Sequence, residues 1–159
     1  MRRLSTLLLP LALAACDKAP SASSPVTVVE ATRIAENAEA SFTKGDDKAV
    51  MAQYANNAVM IDAGAPDPST DRKIQSGWAQ TFVSMQPADY KVIDRHIQLL
   101  GADAFVSSGI ETFTVAAGAA RPSVSARFTD VFQRQKDGSW KIVNEHVSMP
   151  PERVSAMAQ

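Results

Sequence analysis

The 159-residue sequence has one cysteine, two histidines, 6% aromatic residues and almost no net charge. A single cysteine cannot close a disulfide within the chain. One cysteine with two histidines also falls short of the four nitrogen or sulfur ligands of a structural zinc site, so disulfide scaffolds and zinc fingers are excluded. Lys and Arg number 16 against 17 Asp and Glu. That balance leaves no basic surplus to neutralise a phosphate backbone, and nucleic acid is not an expected partner. No apolar run approaches the roughly 20 residues of a membrane-spanning helix. No motif in the chain names a reaction, and neither a cofactor nor a metal is expected. What is present, 45% hydrophobic and 21% charged residues, is the composition of one soluble globular domain.

The first residues carry an address. Arg2 and Arg3 precede an apolar stretch from Leu4 to Ala14, the pattern of a secretory signal. Leu13-Ala14-Ala15-Cys16 resembles the bacterial lipobox, in which the cysteine is acylated and becomes the new N-terminus. Cleavage there leaves 144 residues with 14 basic and 17 acidic groups, a net charge of −3. A chain of that size buries about 68% of its unfolded surface and forms one core without disulfides. The expected organisation is a signal over 1–15, a lipidated tether over 16–26, one domain over 27–149 and a tail over 150–159. The protein is then expected in the bacterial cell envelope, held at a membrane through Cys16 alone, on the periplasmic side if the cell is Gram-negative.

Local signals predict three helices followed by a meander. Thr27 and Glu30 have the spacing of a capping box, and Ile34, Ala38 and Phe42 recur every four residues before Gly45. Asp46 or Asp47 can cap a short second helix carrying Val50, Met51 and Tyr54, and residues 58–64 form a strand candidate. Asp71 can cap a third helix whose apolar positions are Ile74, Trp78, Phe82 and Met85, ended by Pro87. Beyond Pro87 the period changes to two over segments 89–100, 103–117, 122–135 and 139–149, joined by short Gly-bearing connections that make antiparallel hairpins. Helices first and a meander afterwards predict an α+β fold with the helices on one face of a curved antiparallel sheet.

Straight alternation divides each strand into two faces. On the last strand it groups Trp140, Ile142, Asn144, His146 and Ser148 as a pocket wall, and leaves Val143, Val147 and Met149 as an outer stripe suited to a homodimer contact. Across the hairpin the inward set becomes Arg127, Thr129 and Val131. In segment 89–100, Ile93, Arg95, Ile97 and Leu99 form the more apolar set, which puts Tyr90, Asp94 and His96 on the opposite face. Because His96 and His146 differ in parity, a shared metal is not expected.

The order of these elements, with YANNAVMIDAGAP (54–66) and RFTDVFQRQKDGSWKIVNEHVSMP (127–150), resembles the nuclear transport factor 2-like superfamily. Within it the likeness is to the SnoaL-like branch and to the association domain of calcium/calmodulin-dependent protein kinase II. It spans roughly residues 28–149, and its most specific part is Asp137-Gly138-x-Trp140-x-Ile142-Val143-x-x-His146-x-Ser148. The resemblance implies a cone-shaped α+β barrel with a cavity at its wide end and usually a dimer formed through the sheets. The family often has a Gly before the third helix, where this chain has Ser69-Thr70-Asp71. The fold hosts isomerases, dehydratases, cyclases and epoxide hydrolases beside members without known activity, so fold does not decide function.

The functional expectation is a small acidic or aromatic ligand bound in the cone. Arg127, Arg95 and His146 would supply charge, Tyr54, Trp78, Trp140 and Ile142 the wall, and Asn144 a polar contact. Each has a structural alternative: His146 bonded within its strand, the arginines reaching the rim, the aromatic residues in the core. Asp62 and His146 are the candidate acid and base if the protein is instead an isomerase, dehydratase or cyclase type of enzyme. A dimeric scaffold with a filled cone is the third reading.

Overall fold

The computed structural model describes residues 24–150. Three helices come first, with one strand among them: α1 (Val28–Glu39), α2 (Asp47–Met51), β1 (Tyr54–Ile61) and α3 (Arg72–Ser84). Four long strands follow: β2 (Ala88–Leu99), β3 (Ala104–Thr114), β4 (Ser123–Arg134) and β5 (Trp140–Ser148). They form one curved, open sheet in the order β1-β5-β4-β3-β2, antiparallel except for the parallel β1–β5 pair.

The helix starts follow their caps. Thr27 Oγ1 accepts from the Glu30 N–H at 3.2 Å, Asp46 Oδ1 from the Lys48 and Ala49 N–H groups, and Asp71 Oδ1 from the Lys73 N–H. Each cap satisfies donors that the first turn leaves free. α2 is shorter than its apolar pattern suggested. It ends at Met51 and Tyr54 already belongs to β1, because the Ile142 N–H donates to Gln53 O at 2.8 Å and pulls the chain into the sheet. α3 is rotated about its axis relative to the expected stripe: Gln75, Ala79 and Phe82 are buried, while Ile74 is 61% exposed. The Gln75 amide explains this, since its Nε2 donates to Ala58 O at 2.8 Å and Ser69 O at 3.0 Å and ties the helix to β1 and its loop. The same loop is pinned by a paired bridge between Met60 and Ser69.

One end of the fold is filled. Phe105 and Phe132 stack with ring centroids 4.7 Å apart, Trp140 tilts onto Phe105 at 5.3 Å, and Ile142 is buried beside them. Small residues Ala31, Ala35 and Ala38 let α1 lie close over this core. The β2–β3 and β4–β5 turns are at this end, where Gly138 (φ +84°) takes a conformation that L side chains rarely adopt. Chain entry is here too, because Val26 N–H donates to Ala102 O at 3.1 Å and Arg134 Nη2 to Ser24 O at 3.0 Å.

Two bulges decide which side chains face inward. On β2, Ile93 pairs with Ile110 and His96 with Ser108, so Asp94 and Arg95 together oppose Gly109. Asp94 takes φ +56° there, which Asp tolerates better than most residues. A side chain at Gly109 would start 2.9 Å from Asp94 O, so the close approach requires glycine. On β5, Ile142 pairs with Phe132 and Asn144 with Val131, leaving Val143 as an extra residue. Each insertion exchanges the two faces of its strand from that point onward.

Candidate functional site

At the end of the sheet opposite the β2–β3 and β4–β5 turns lies a cavity of about 280 Å³, at the small end of ligand-binding cavities. Its aromatic wall comes from α3 and the strand ends. Trp78 and Phe82 are stacked 5.6 Å apart, Tyr90 and Phe113 are stacked 6.0 Å apart, and Phe82 meets Phe113 edge-on at 5.6 Å. Ala126, Val124, Val147 and Met149 complete much of the apolar surface.

Three carboxyl groups line this wall, and each is bonded by an aromatic donor. Asp62, just beyond β1, accepts from Trp78 Nε1 at 3.1 Å on Oδ1 and from the Gly64 N–H at 3.0 Å on Oδ2. Glu111 on β3 accepts from the Tyr90 hydroxyl at 2.5 Å. Glu145 on β5 accepts from the Tyr54 hydroxyl at 2.8 Å. Removal from water pushes the Glu111 carboxyl up to about 7. The Tyr90 hydrogen bond works in the opposite direction, and the negative charges of Glu39 and Asp62 add to the rise. Burial likewise raises Glu145, against its Tyr54 hydrogen bond and with the charges of Glu111 and Asp62. Asp130, buried behind them on β4, is pushed well above the ordinary range by burial and by Glu145, Glu111 and Glu39, with Arg95 partly offsetting. Its Oδ1 has no hydrogen-bond partner among the described residues. Burial also raises both phenols well above their usual value, so Tyr54 and Tyr90 remain donors at neutral pH.

The cavity differs from the sequence expectation in the sign of its polar groups. Asp62 and Trp78 are where a cavity requires them. His146 is exposed and does not line the cavity; it lines an open depression that borders the cavity and shares Asp62, Ala63, Val147 and Met149 with it. Arg127 is exposed, its Nη2 donating to Met149 O at 3.2 Å. Asn144 lies between Val59 and Val131 and also misses the cavity. The cause is the extra residue at Val143. Trp140 and Ile142 face inward as expected, but past the bulge the inward set is Glu145, Val147 and Met149, and the pairing of Thr129 with His146 carries the reversal across to β4. Val147 and Met149 therefore do not form an outer stripe. Trp140 and Ile142 are inside, but in the filled core. Tyr54 is buried behind the cavity, against Glu145.

Two further corrections fall on β2, of which the bulge accounts for one. Arg95 faces inward but is spent on structure, its guanidinium bonded to both oxygens of Glu39 at 2.7 Å and to Ser107 Oγ at 2.9 Å. Past Asp94 the parity reverses and Tyr90, expected on the outer face, lines the cavity. His96 is exposed beside Asp94, on the outer face where alternation put it. Among the described residues no group of three or more His, Cys, Asp or Glu is arranged to hold a metal ion. Glu111, Glu145 and Tyr90 are the site residues that straight alternation missed.

The model of the SnoaL-like domain family matches residues 32–152. The chain belongs to that family. Among solved structures, this SnoaL-like protein is similar to a Xanthomonas campestris protein assigned as a calcium/calmodulin-dependent protein kinase II association domain. The two are 26% identical with a TM-score of 0.73, over 82% of this chain and 94% of that one. It is also similar to a nuclear transport factor 2-like protein of unknown function from Pseudomonas putida, at 18% identity and TM-score 0.64, over 77% and 85% of the two chains. A Streptomyces avermitilis protein assigned as a dehydratase of the same superfamily is 17% identical with a TM-score of 0.64, over 77% and 95%. The last two likenesses are of fold. No curated protein matches the chain.

Proposed function

We propose that this SnoaL-like protein binds a small, largely apolar molecule in the cavity between α3 and the ends of β1 to β5. The observation that carries this reading is the cavity itself. The end with the β2–β3 and β4–β5 turns is packed solid with aromatic rings, yet about 280 Å³ is left open beside Trp78, Phe82 and Phe113, with polar groups at a few fixed points. A filled scaffold has no use for such a space, and an apolar cavity with few orienting groups is what a binding site requires. The acidic ligand expected from Arg127 and His146 loses its support, because both lie outside. The test uses Ala126, buried and lining the cavity. Ala126→Leu fills the space without adding a polar group. Compounds that raise the melting temperature of the wild type in a thermal-shift screen should leave the variant unmoved, and equal shifts in both proteins would refute binding there.

A second reading rests on Glu111. A carboxyl group titrating near 7 beside a phenol in an apolar cavity is suited to move a proton at neutral pH. Dehydratase and ketosteroid isomerase assignments among the structural neighbours are consistent with such chemistry. Turnover of a carbonyl substrate that Glu111→Gln abolishes would establish it.

We further propose that Cys16, which lies outside the described residues, is acylated and holds the domain at the outer side of a bacterial inner membrane or on another envelope membrane. Support comes from the lipobox pattern and from the attachment of Ser24 and Val26 at the end with the β2–β3 and β4–β5 turns, opposite the cavity. A homodimer through the outer face of the sheet is consistent with neighbours named as association and hub domains and with Ile93, half exposed on that face.

A further inference from the structure

Resting on the binding reading above, we infer that the cavity's ligand is a small amine, an ammonium group carried on an aromatic or branched aliphatic body. The inference follows from counting donors and acceptors. Apart from the protons that Glu111 and Glu145 can carry, the cavity's side-chain donors are committed to the protein: Trp78 Nε1 to Asp62, the Tyr90 hydroxyl to Glu111 and the Thr81 hydroxyl to Gly77 O. The acceptors are not saturated. An ionised carboxylate offers about four lone-pair positions, whereas Asp62 receives two hydrogen bonds and Glu111 and Glu145 one each among the described residues. A ligand that completes this set has to donate, and an ammonium group brings three donors and no acceptor.

Charge points the same way. No Lys, Arg or His is among the described residues lining the cavity, and the buried guanidinium nearby, Arg95, is held by both oxygens of Glu39. An incoming carboxylate would therefore add a fourth carboxyl group beside Asp62, Glu111 and Glu145 with no cation to receive it. An ammonium in this cavity meets carboxyl oxygens together with the electron-rich rings of Trp78, Phe82, Tyr90 and Phe113, a combination that stabilises cations further when water is excluded.

Binding of this kind is linked to protons. Glu111 is faced by Tyr90 from β2, Glu39 from α1, Asp62 from the end of β1, Asp130 from β4 and Glu145 from β5, with Arg95 of β2 beyond. In the empty cavity these neighbours and burial keep part of the Glu111 population protonated at neutral pH. An ammonium favours the ionised form, so amine binding should release protons below about pH 7 and tighten as the pH rises toward 8.

Three probes of matched shape, 2-phenylethylamine, 2-phenylethanol and phenylacetate, test the inference by isothermal titration calorimetry at pH 7.5. The amine should bind at least tenfold more tightly than the alcohol, and the acid should be weakest. Repeating the amine titration at pH 6.5 in phosphate and in Tris should give heats that differ by the buffers' ionisation enthalpies, the mark of proton release. Glu111→Gln should reduce that difference to the share released by Glu145, and should reduce the preference for amine over alcohol while the alcohol still binds. Alcohol or acid binding as tightly as the amine would overturn the amine inference and leave the binding reading standing. If no probe binds at millimolar concentration and no thermal-shift hit discriminates the wild type from Ala126→Leu, both fall.

Discussion

Raising the pH from 5 to 8 should weaken the fold, and Glu111→Gln should remove a large part of that loss. The sign follows from linkage. In the unfolded chain the Glu111 carboxyl titrates at its ordinary value of 4.5, and in the fold, where burial dominates, at about 7. Below pH 4.5 both states hold the proton and folding carries no penalty from this group. Between 4.5 and 7 the unfolded state ionises while the folded state stays protonated, so stability falls through that window and levels off above it. A shift from 4.5 to about 7, at 1.36 kcal/mol per pH unit, corresponds to about 3 kcal/mol. Glu145, raised to about 8, continues the decline beyond pH 7, and burial raises Asp130 in the same direction. The exposed Asp137 is lowered by its Ser139 hydrogen bonds and acts in the opposite sense, but only at more acid pH. Glutamine keeps an oxygen to accept the Tyr90 hydroxyl and carries no charge at any pH. Urea unfolding at pH 5, 6, 7 and 8 should show wild-type stability falling, with the variant's fall smaller by about 2 to 3 kcal/mol. A wild-type stability that rises with pH, or identical slopes in the two proteins, would refute the assignment of Glu111 as a buried, protonated group.

Arg127→Met and His146→Gln should each change stability by less than about 0.5 kcal/mol and leave any ligand's affinity unaltered, since both side chains are exposed and outside the cavity; a tenfold affinity loss by calorimetry would restore the straight-strand reading. Cys16→Ser should move the protein from the membrane to the soluble fraction with its circular dichroism unchanged, and an unacylated wild type by mass spectrometry would contradict the anchor. Ile93→Asp should convert a dimer to a monomer by light scattering at micromolar concentration, and a monomeric wild type would end the dimer proposal.

The fold was legible because its signals are local. Thr27, Asp46 and Asp71 cap their helices by reaching two or three residues along the chain, and the four long strands alternate between turn residues that announce themselves. The site was legible only as far as the first irregularity in each strand. Trp140 and Ile142 were placed inward correctly. Val143 inserts one residue opposite the Phe132–Val131 step, and from there on period-two alternation gives the wrong face for His146 and, through the hairpin, for Arg127. Asp94 does the same on β2, which put Tyr90 on the wrong face while Arg95 was on the right one. A bulge depends on what the neighbouring strand presents, here Gly109, where an added Cβ would lie 2.9 Å from the Asp94 backbone oxygen. That contact is not local in sequence, and no period-two pattern contains it.

A signal was nonetheless present on the strands that have no bulge of their own. β4 reads Phe128, Asp130, Phe132 at period two, and β3 reads Phe105, Ser107, Gly109, Glu111, Phe113. A face that carries two phenylalanines is the one a sheet buries against its helices, so an acid in the same register is a buried acid unless the strand ends first. Applied to β4, that argument outranks the attraction of Arg127 for a pocket. An arginine on the opposite face from Phe128 and Phe132 has water available, whereas Asp130 does not. Carried through the β3–β4 pairing, where Glu111 stands opposite Ala126 and Ser107 opposite Asp130, it collects carboxyl groups on the inner face before any bulge has to be known. The polarity of the cavity was thus readable from its most aromatic strands. Its geometry, including the placement of Glu145 and Tyr90 against Glu111, required the two insertions.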